Sequence, residues 1–140
     1  MRRRILGNQF LHLRVTEEVP QANQVPRHRS TLTLDYGKGH FGGMVRANHY
    51  GSWSTTPGLF SGVGDGSDAA SYSGKTLVDV EARWKFNDTF TFAVGGDNVF
   101  DTYPDKEKDG TLQFLGQEYA ITSPFGFNGA SWYVRISADF

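Results

Sequence analysis

The last ten residues read Ser131-Trp132-Tyr133-Val134-Arg135-Ile136-Ser137-Ala138-Asp139-Phe140, and their alternation decides the fold. Trp132, Val134, Ile136, Ala138 and Phe140 occupy every second position, with Ser131, Tyr133, Arg135, Ser137 and Asp139 between them. A helix would scatter the first set around its circumference; a strand gathers it on one face. The same period runs upstream. Val78, Val80, Ala82, Trp84 and Phe86 alternate with Asp79, Glu81, Arg83 and Lys85. Phe90, Phe92 and Val94 alternate with Thr89, Thr91 and Ala93, and Leu32, Leu34 and Tyr36 with Thr31, Thr33 and Asp35. The pattern predicts strands near 30–37, 40–50, 76–86, 89–100 and 131–140. The second is the least regular, because Met44 and Tyr50 share a face with Arg46 and Asn48. Residues 1–29 support two readings: Leu11, Leu13 and Val15 alternate, yet Leu6, Phe10 and Leu13 also fit one face of a helix.

Connections alternate in length. Gly37-Lys38-Gly39 and Asn87-Asp88 are tight turns, whereas 51–74 and 101–129 are long, rich in Gly, Ser and Asp, and expected to be too polar to hold a core. The five prolines all lie outside the strands, as ladder hydrogen bonding requires. Short turns on one rim and long loops on the other describe an up-and-down antiparallel meander. Tyr36, Phe41, Phe86, Phe90 and Phe140 are expected near the short-turn rim, and Trp53, Phe100 and Trp132 toward the long-loop rim. From Trp132 to Phe140 is roughly 26 Å along a strand, or ~20 Å of height at a tilt of about 40°, close to the apolar band of a membrane barrel. Periodicity alone leaves a second reading open, a soluble meander whose apolar face packs on itself or on a partner.

Composition narrows the classes. Net charge is −1 and the isoelectric point about 6.4, so no basic excess points to nucleic acid. Mean hydropathy of −0.46 and 38% hydrophobic residues suit a soluble protein, but a membrane barrel gives the same values because only alternate residues face lipid. The absence of cysteine excludes disulfides, thiolate metal sites and cysteine nucleophiles. No apolar run reaches the ~18 residues of a membrane helix. Met1-Arg2-Arg3-Arg4 has the basic start of a signal peptide without the apolar run that should follow.

Three stretches in the last third carry a family likeness. Asp97-Asn98-Val99-Phe100-Asp101-Thr102-Tyr103-Pro104 resembles the "DNLFDxxY" segment that follows the penultimate strand of TonB-dependent outer-membrane receptors. Pro124-Phe125-Gly126-Phe127-Asn128-Gly129 resembles their "PxGxNG" run before the last strand, and the alternation ending on Phe140 is similar to their terminal pattern. Pro26-Arg27 and Tyr50-Gly51 extend the likeness over roughly 26–140; Ala138 departs from it, where members often carry a tyrosine. The resemblance implies an all-β fold, an antiparallel meander of five to six long strands forming the carboxy-terminal part of a transmembrane β-barrel. Residues 30–140 would be those strands, and residues 1–29 an extracellular loop or partial strand.

What the resemblance implies goes further. The chain would be a fragment of an outer-membrane receptor importing a scarce ligand, most often a ferric siderophore. Its partners would be the rest of the barrel and plug domain, the TonB complex, the outer-membrane assembly machinery and the lipid bilayer. Trp132, Val134 and Ile136 would face lipid, and Phe140 would end the assembly signal. No enzymatic activity or cofactor is expected. His12, His28, His40 and His49 lack metal-ligand spacing, and no nucleophile elbow is present. Asp65-Gly66-Ser67-Asp68 and 105–110 lack the ligand order of a calcium loop, and Gly62, Gly64 and Gly66 that of a phosphate cradle. Asp79, Glu81, Arg83 and Lys85 are expected on a wet inner wall, pairing with one another or meeting plug or solute. Tyr103, Phe114, Tyr119, Phe125 and Phe127 either line a vestibule or pack together. The rival function is a soluble β-sheet module that grips a carbohydrate or protein with its long loops.

Overall fold

The computed structural model describes residues 2–6, 9–18, 26, 28–55 and 70–139. Phe140, the Asp65–Asp68 stretch and Gly62 and Gly64 therefore lie outside the described residues, as do parts of 1–29. Seven strands form one antiparallel sheet in the order β1-β2-β3-β4-β7-β8-β9. They are β1 (Arg2–Leu6), β2 (Gln9–Glu18), β3 (Arg29–Lys38), β4 (Phe41–Tyr50), β7 (Lys75–Lys85), β8 (Phe90–Asp97) and β9 (Ser131–Ala138). A separate hairpin pairs β5 (Trp53–Ser54) with β6 (Ser71–Tyr72), and α1 (Gly110–Phe114) is a short helix in the last long connection. The two strands from residues 2–18 join the five that the alternation predicts.

Every neighbouring pair in the large sheet is also consecutive along its order, so the meander has no crossover. The links at 39–40 and 86–89 close one rim, and 51–55, 70–74 and 98–130 lie toward the other. At the short rim Asn87 accepts hydrogen bonds from the amides of Thr89 and Phe90 at 2.9 and 2.7 Å, and Gly39 supplies a φ of 58°. Both devices turn the chain within a few residues.

From β2 to β9 the register aligns one apolar face, while β1 sets Arg2 and Arg4 opposite Leu13 and Leu11 of it. Leu11, Tyr36, Gly43, Ala82, Val94 and Val134 form one row, and Phe41, Trp84, Phe92 and Ile136 another. This face is the exposed one: Val134 retains 76% of its accessible surface, whereas Glu81 on the other face retains 9%. The polarity is the reverse of a soluble sheet, whose apolar face is covered. Gly43 and Ala82 leave a shallow depression of about 500 Å³ between Leu34, Tyr36, Val94 and Trp132. Trp84, Phe86 and Phe92 meet ring to ring near the short-turn rim, with centroids 5.4 to 6.3 Å apart.

Strand β8 ends at Asp97, earlier than the alternation suggests, because Asn98 has φ 49°. A left-handed residue cannot continue a ladder, and asparagine tolerates that conformation better than most.

Candidate functional site

The polar face of the sheet is wired by charge. Arg83 donates to Asp35 Oδ2 at 2.5 Å, and its Nε lies 3.5 Å from Glu81 Oε1. Glu81 Oε2 accepts from Arg135 at 2.7 Å and from the Tyr133 hydroxyl at 2.8 Å. The chain of contacts runs from β3 to β9 and is neutral, two carboxylates against two guanidiniums. Gly95 makes the reach possible, since a Cβ there would stand 2.5 Å from the Tyr133 ring. A second chain passes from Thr31 to Asn48 at 3.0 Å, from Asn48 to Asp79 Oδ2 at 2.9 Å, and from Asp79 Oδ1 to the Asn98 amide at 3.0 Å. Buried polar groups are tolerated when each is bonded, and here nearly every one is.

The Asn98 amide carries this wiring to the long-loop rim. Asn98 brackets Thr102, donating to its carbonyl at 2.9 Å and accepting from its amide at 3.0 Å. Val99 donates to Val78 O at 2.8 Å, and Asp101, itself at φ 55°, accepts from the Ala130 amide at 2.8 Å. Gly129 lies so close to the Tyr103 hydroxyl and the Asp101 carboxylate that no Cβ fits between them. The Asp101 charge, with lesser effects from burial and hydrogen bonding, raises the Tyr103 pKa. The two sequence motifs, which begin 27 residues apart, thus form one clasp that holds the start of β9 against the end of β8. Pro104 is buried beside it, and Ser123 donates to the carbonyl of Gly126, whose φ is 72°. Pro124 is half-buried; Asp97, Phe100 and Asn128 are exposed.

The long loops do hold a core, contrary to the expectation from their polarity. Trp53 stacks on Tyr72 at 5.4 Å, with Ala70, Ala120 and Phe125 around them, and Tyr50 meets Phe125 at 5.1 Å. Few apolar residues suffice because two large aromatic rings fill most of the volume. Trp53 is therefore an interior residue, 3% exposed, and not part of an aromatic rim. Tyr72 donates to Glu107 at 2.5 Å, and Glu107 also accepts from the amides of Lys108 and Asp109. Burial first, then the Glu107 contact, raises the Tyr72 pKa. Burial would likewise raise Asp105, but hydrogen bonds from Lys75 and Ser73 prevail and hold it at about 2. Tyr103 and Tyr119 stack at 5.2 Å, while Phe114 on α1 is 90% exposed and Phe127 about half exposed. So Phe125 and the two tyrosines pack within the loops, and Phe114 and Phe127 do not.

Trp132, Val134 and Ile136 all lie on the exposed apolar face of β9. Asp105 and Asp109 have protein partners, Lys75 and the Leu112 amide respectively. Among the described residues no group of three His, Cys, Asp or Glu side chains could hold a metal. Glu107, the hub of the loop core, has no sequence signal, since it sits in a charged run that reads as solvated loop.

Residues 7–99 match a family model described as TonB dependent receptor-like, beta-barrel. No curated protein and no solved structure matches the chain.

Proposed function

Because the chain belongs to the TonB-dependent receptor β-barrel family, whose members are outer-membrane receptors that transport their ligands, we propose that it forms wall strands of an importer for a scarce ligand, a ferric siderophore first among the family's cargoes. The observation that carries this reading is the reversed polarity of the sheet. An apolar face left in water forfeits about 25 cal/mol per Å² of burial, an arrangement suited instead to hydrocarbon. On this reading Trp132, Val134 and Ile136 face lipid, Phe140 ends the signal read by the assembly machinery, and the wired polar face lines the lumen. The clasp and loop core stand on the extracellular rim.

The open edges support a partner that completes the wall. In a seven-strand meander β1 and β9 run in the same direction, so an antiparallel barrel closes only when an odd number of strands is inserted between them. A 22-stranded barrel requires fifteen more, which is odd, whereas a second copy in the same membrane orientation supplies seven and meets the first at a parallel seam. The remaining strands, a plug in the lumen and the TonB complex that drives it are the partners this reading requires.

Single-tryptophan variants of the receptor in vesicles of brominated lipid test the proposal. Trp84 and Trp132, on the apolar face, should be quenched, and Trp53 should not. A sharp monomer in detergent-free buffer, with none of the three quenched in vesicles, would support the soluble loop-binding module instead.

A further inference from the structure

Among the arginines of the large sheet whose side chains are described, four lie on its polar face between the rims, and they fall into two pairs. Arg83 and Arg135 are tied into the neutral chain with Asp35 and Glu81. Arg14 and Arg46 are exposed, and neither has an ion-pair or hydrogen-bond partner among the described residues. Their placement follows from the register. Arg14 stands opposite Thr33, and Thr33 stands opposite Arg46. Thr33 shares a face with Asp35, which Arg83 bonds, and Arg46 lies between Met44 and Asn48, the latter bonded to Asp79. Both side chains therefore leave the polar face from backbone positions two strand spacings, ~10 Å, apart, with Thr33 at the position between them.

The carboxylate in register with Arg46 is Asp79, but both of its oxygens are engaged elsewhere, by Asn48 and by the Asn98 amide. On the other side His12, next along the same face as Arg14, has a buried Nε2 with no partner. The row lies midway along β2, β3 and β4, far from either rim. Charge at mid-wall faces the narrowest supply of bulk water, and low-dielectric walls concentrate its field.

We propose that Arg14, Thr33 and Arg46 form an oxyanion site at mid-height of the polar face, and that its ligand is a carboxylate. Two forked guanidiniums flanking a hydroxyl suit the planar, bidentate geometry of that group better than a point anion. The carboxylate comes either from a free solute in the lumen or from an acidic side chain of the segment that fills it. The site rests on the receptor reading for its access from the lumen, not for its composition.

Citrate titration by calorimetry into the detergent-solubilised receptor tests it, with hydrogen exchange measured on the same samples. Arg14→Gln/Arg46→Gln should weaken citrate binding at least tenfold, Arg14→Lys/Arg46→Lys by only a few-fold, and Lys38→Gln, the loss of one charge at the short rim, not at all. That result assigns the site to free solute. If the parent binds no citrate, but the double glutamine variant speeds amide exchange in the lumen segment at least tenfold, the ligand is an acidic side chain of that segment. Unchanged citrate binding and unchanged exchange in the double glutamine variant overturn the proposal. Brominated-lipid quenching of Trp132 in each variant reports whether the wall still sits in the membrane, so loss of the site is distinguished from failure of the receptor reading or of folding.

Discussion

The sheet and the loop unit above it are built by opposite rules from one chain. On the sheet, Val134 and Ile136 are open and Glu81 is enclosed; in the loops, Trp53 and Tyr72 are enclosed and charged residues such as Lys106 and Glu118 are open. The loop unit is a small enclosed core, closed by stacking and a buried Tyr72–Glu107 hydrogen bond. The sheet instead covers its polar face and leaves its apolar face open. The comparison shows that the hydrophobicity of a segment does not by itself decide which side chains are covered. The boundary between the two regimes falls at the clasp of Asn98, Asp101 and Gly129.

The largest expected effect separates the two regions most sharply. Trp53→Ala removes the centre of the loop core and should destabilise that unit by about 3–5 kcal/mol. Limited proteolysis should then cut within 51–74 and 101–130, while the heat-resistant gel mobility of the barrel stays unchanged. If the wall also unfolds, the two regions are not independent. On the wall, Ile136→Arg should cost about 2–4 kcal/mol in urea titrations in lipid, and Ser137→Arg on the opposite face far less. Equal costs would mean that the apolar face of β9 does not meet hydrocarbon. At the boundary, Gly129→Ala forces a methyl group onto Tyr103 and Asp101 and should cost about 1–3 kcal/mol, read as faster amide exchange at Ala130 and Ser131.

The smallest effect is acid sensitivity confined to the loops. Asp105 titrates at about 2 when folded and near 3.8 when unfolded. Its pKa is depressed by folding, so its contribution is complete above the unfolded value and disappears as the pH falls toward 2. With solvent screening the effect is about 1 kcal/mol. Asp105→Asn should flatten the acid dependence of Trp53 fluorescence between about pH 4 and 2 and leave that of Trp132 alone.

The strands from 30 onward were legible because alternation is a local signal that survives without partners. The first two were not, since Leu11, Leu13 and Val15 fit a strand while Leu6, Phe10 and Leu13 fit a helix equally well. The loop core was hidden for a different reason. Trp53, Tyr72, Ala120 and Phe125 are scattered through polar sequence and meet only in three dimensions. The motif residues were readable as a resemblance, but their work as a clasp depends on the left-handed turns at Asn98 and Asp101 and on the missing side chain of Gly129. The Arg14–Thr33–Arg46 row likewise exists only once the register is known.

That register carries a hazard of its own. Strand β3 contains Thr31-Leu32-Thr33-Leu34, so sliding β2 along it by two residues would leave every threonine and leucine on its proper face. Ten residues of sequence separate the two strands. One contact marks the correct pairing: the Phe10 ring lies directly over Gly37, filling the space a side chain would need. Two residues away in one direction the ring would meet Asp35 instead. Gly37 therefore acts as a notch in a repetitive zipper, disfavouring the slip toward Asp35 that the hydrophobic pattern alone would accept.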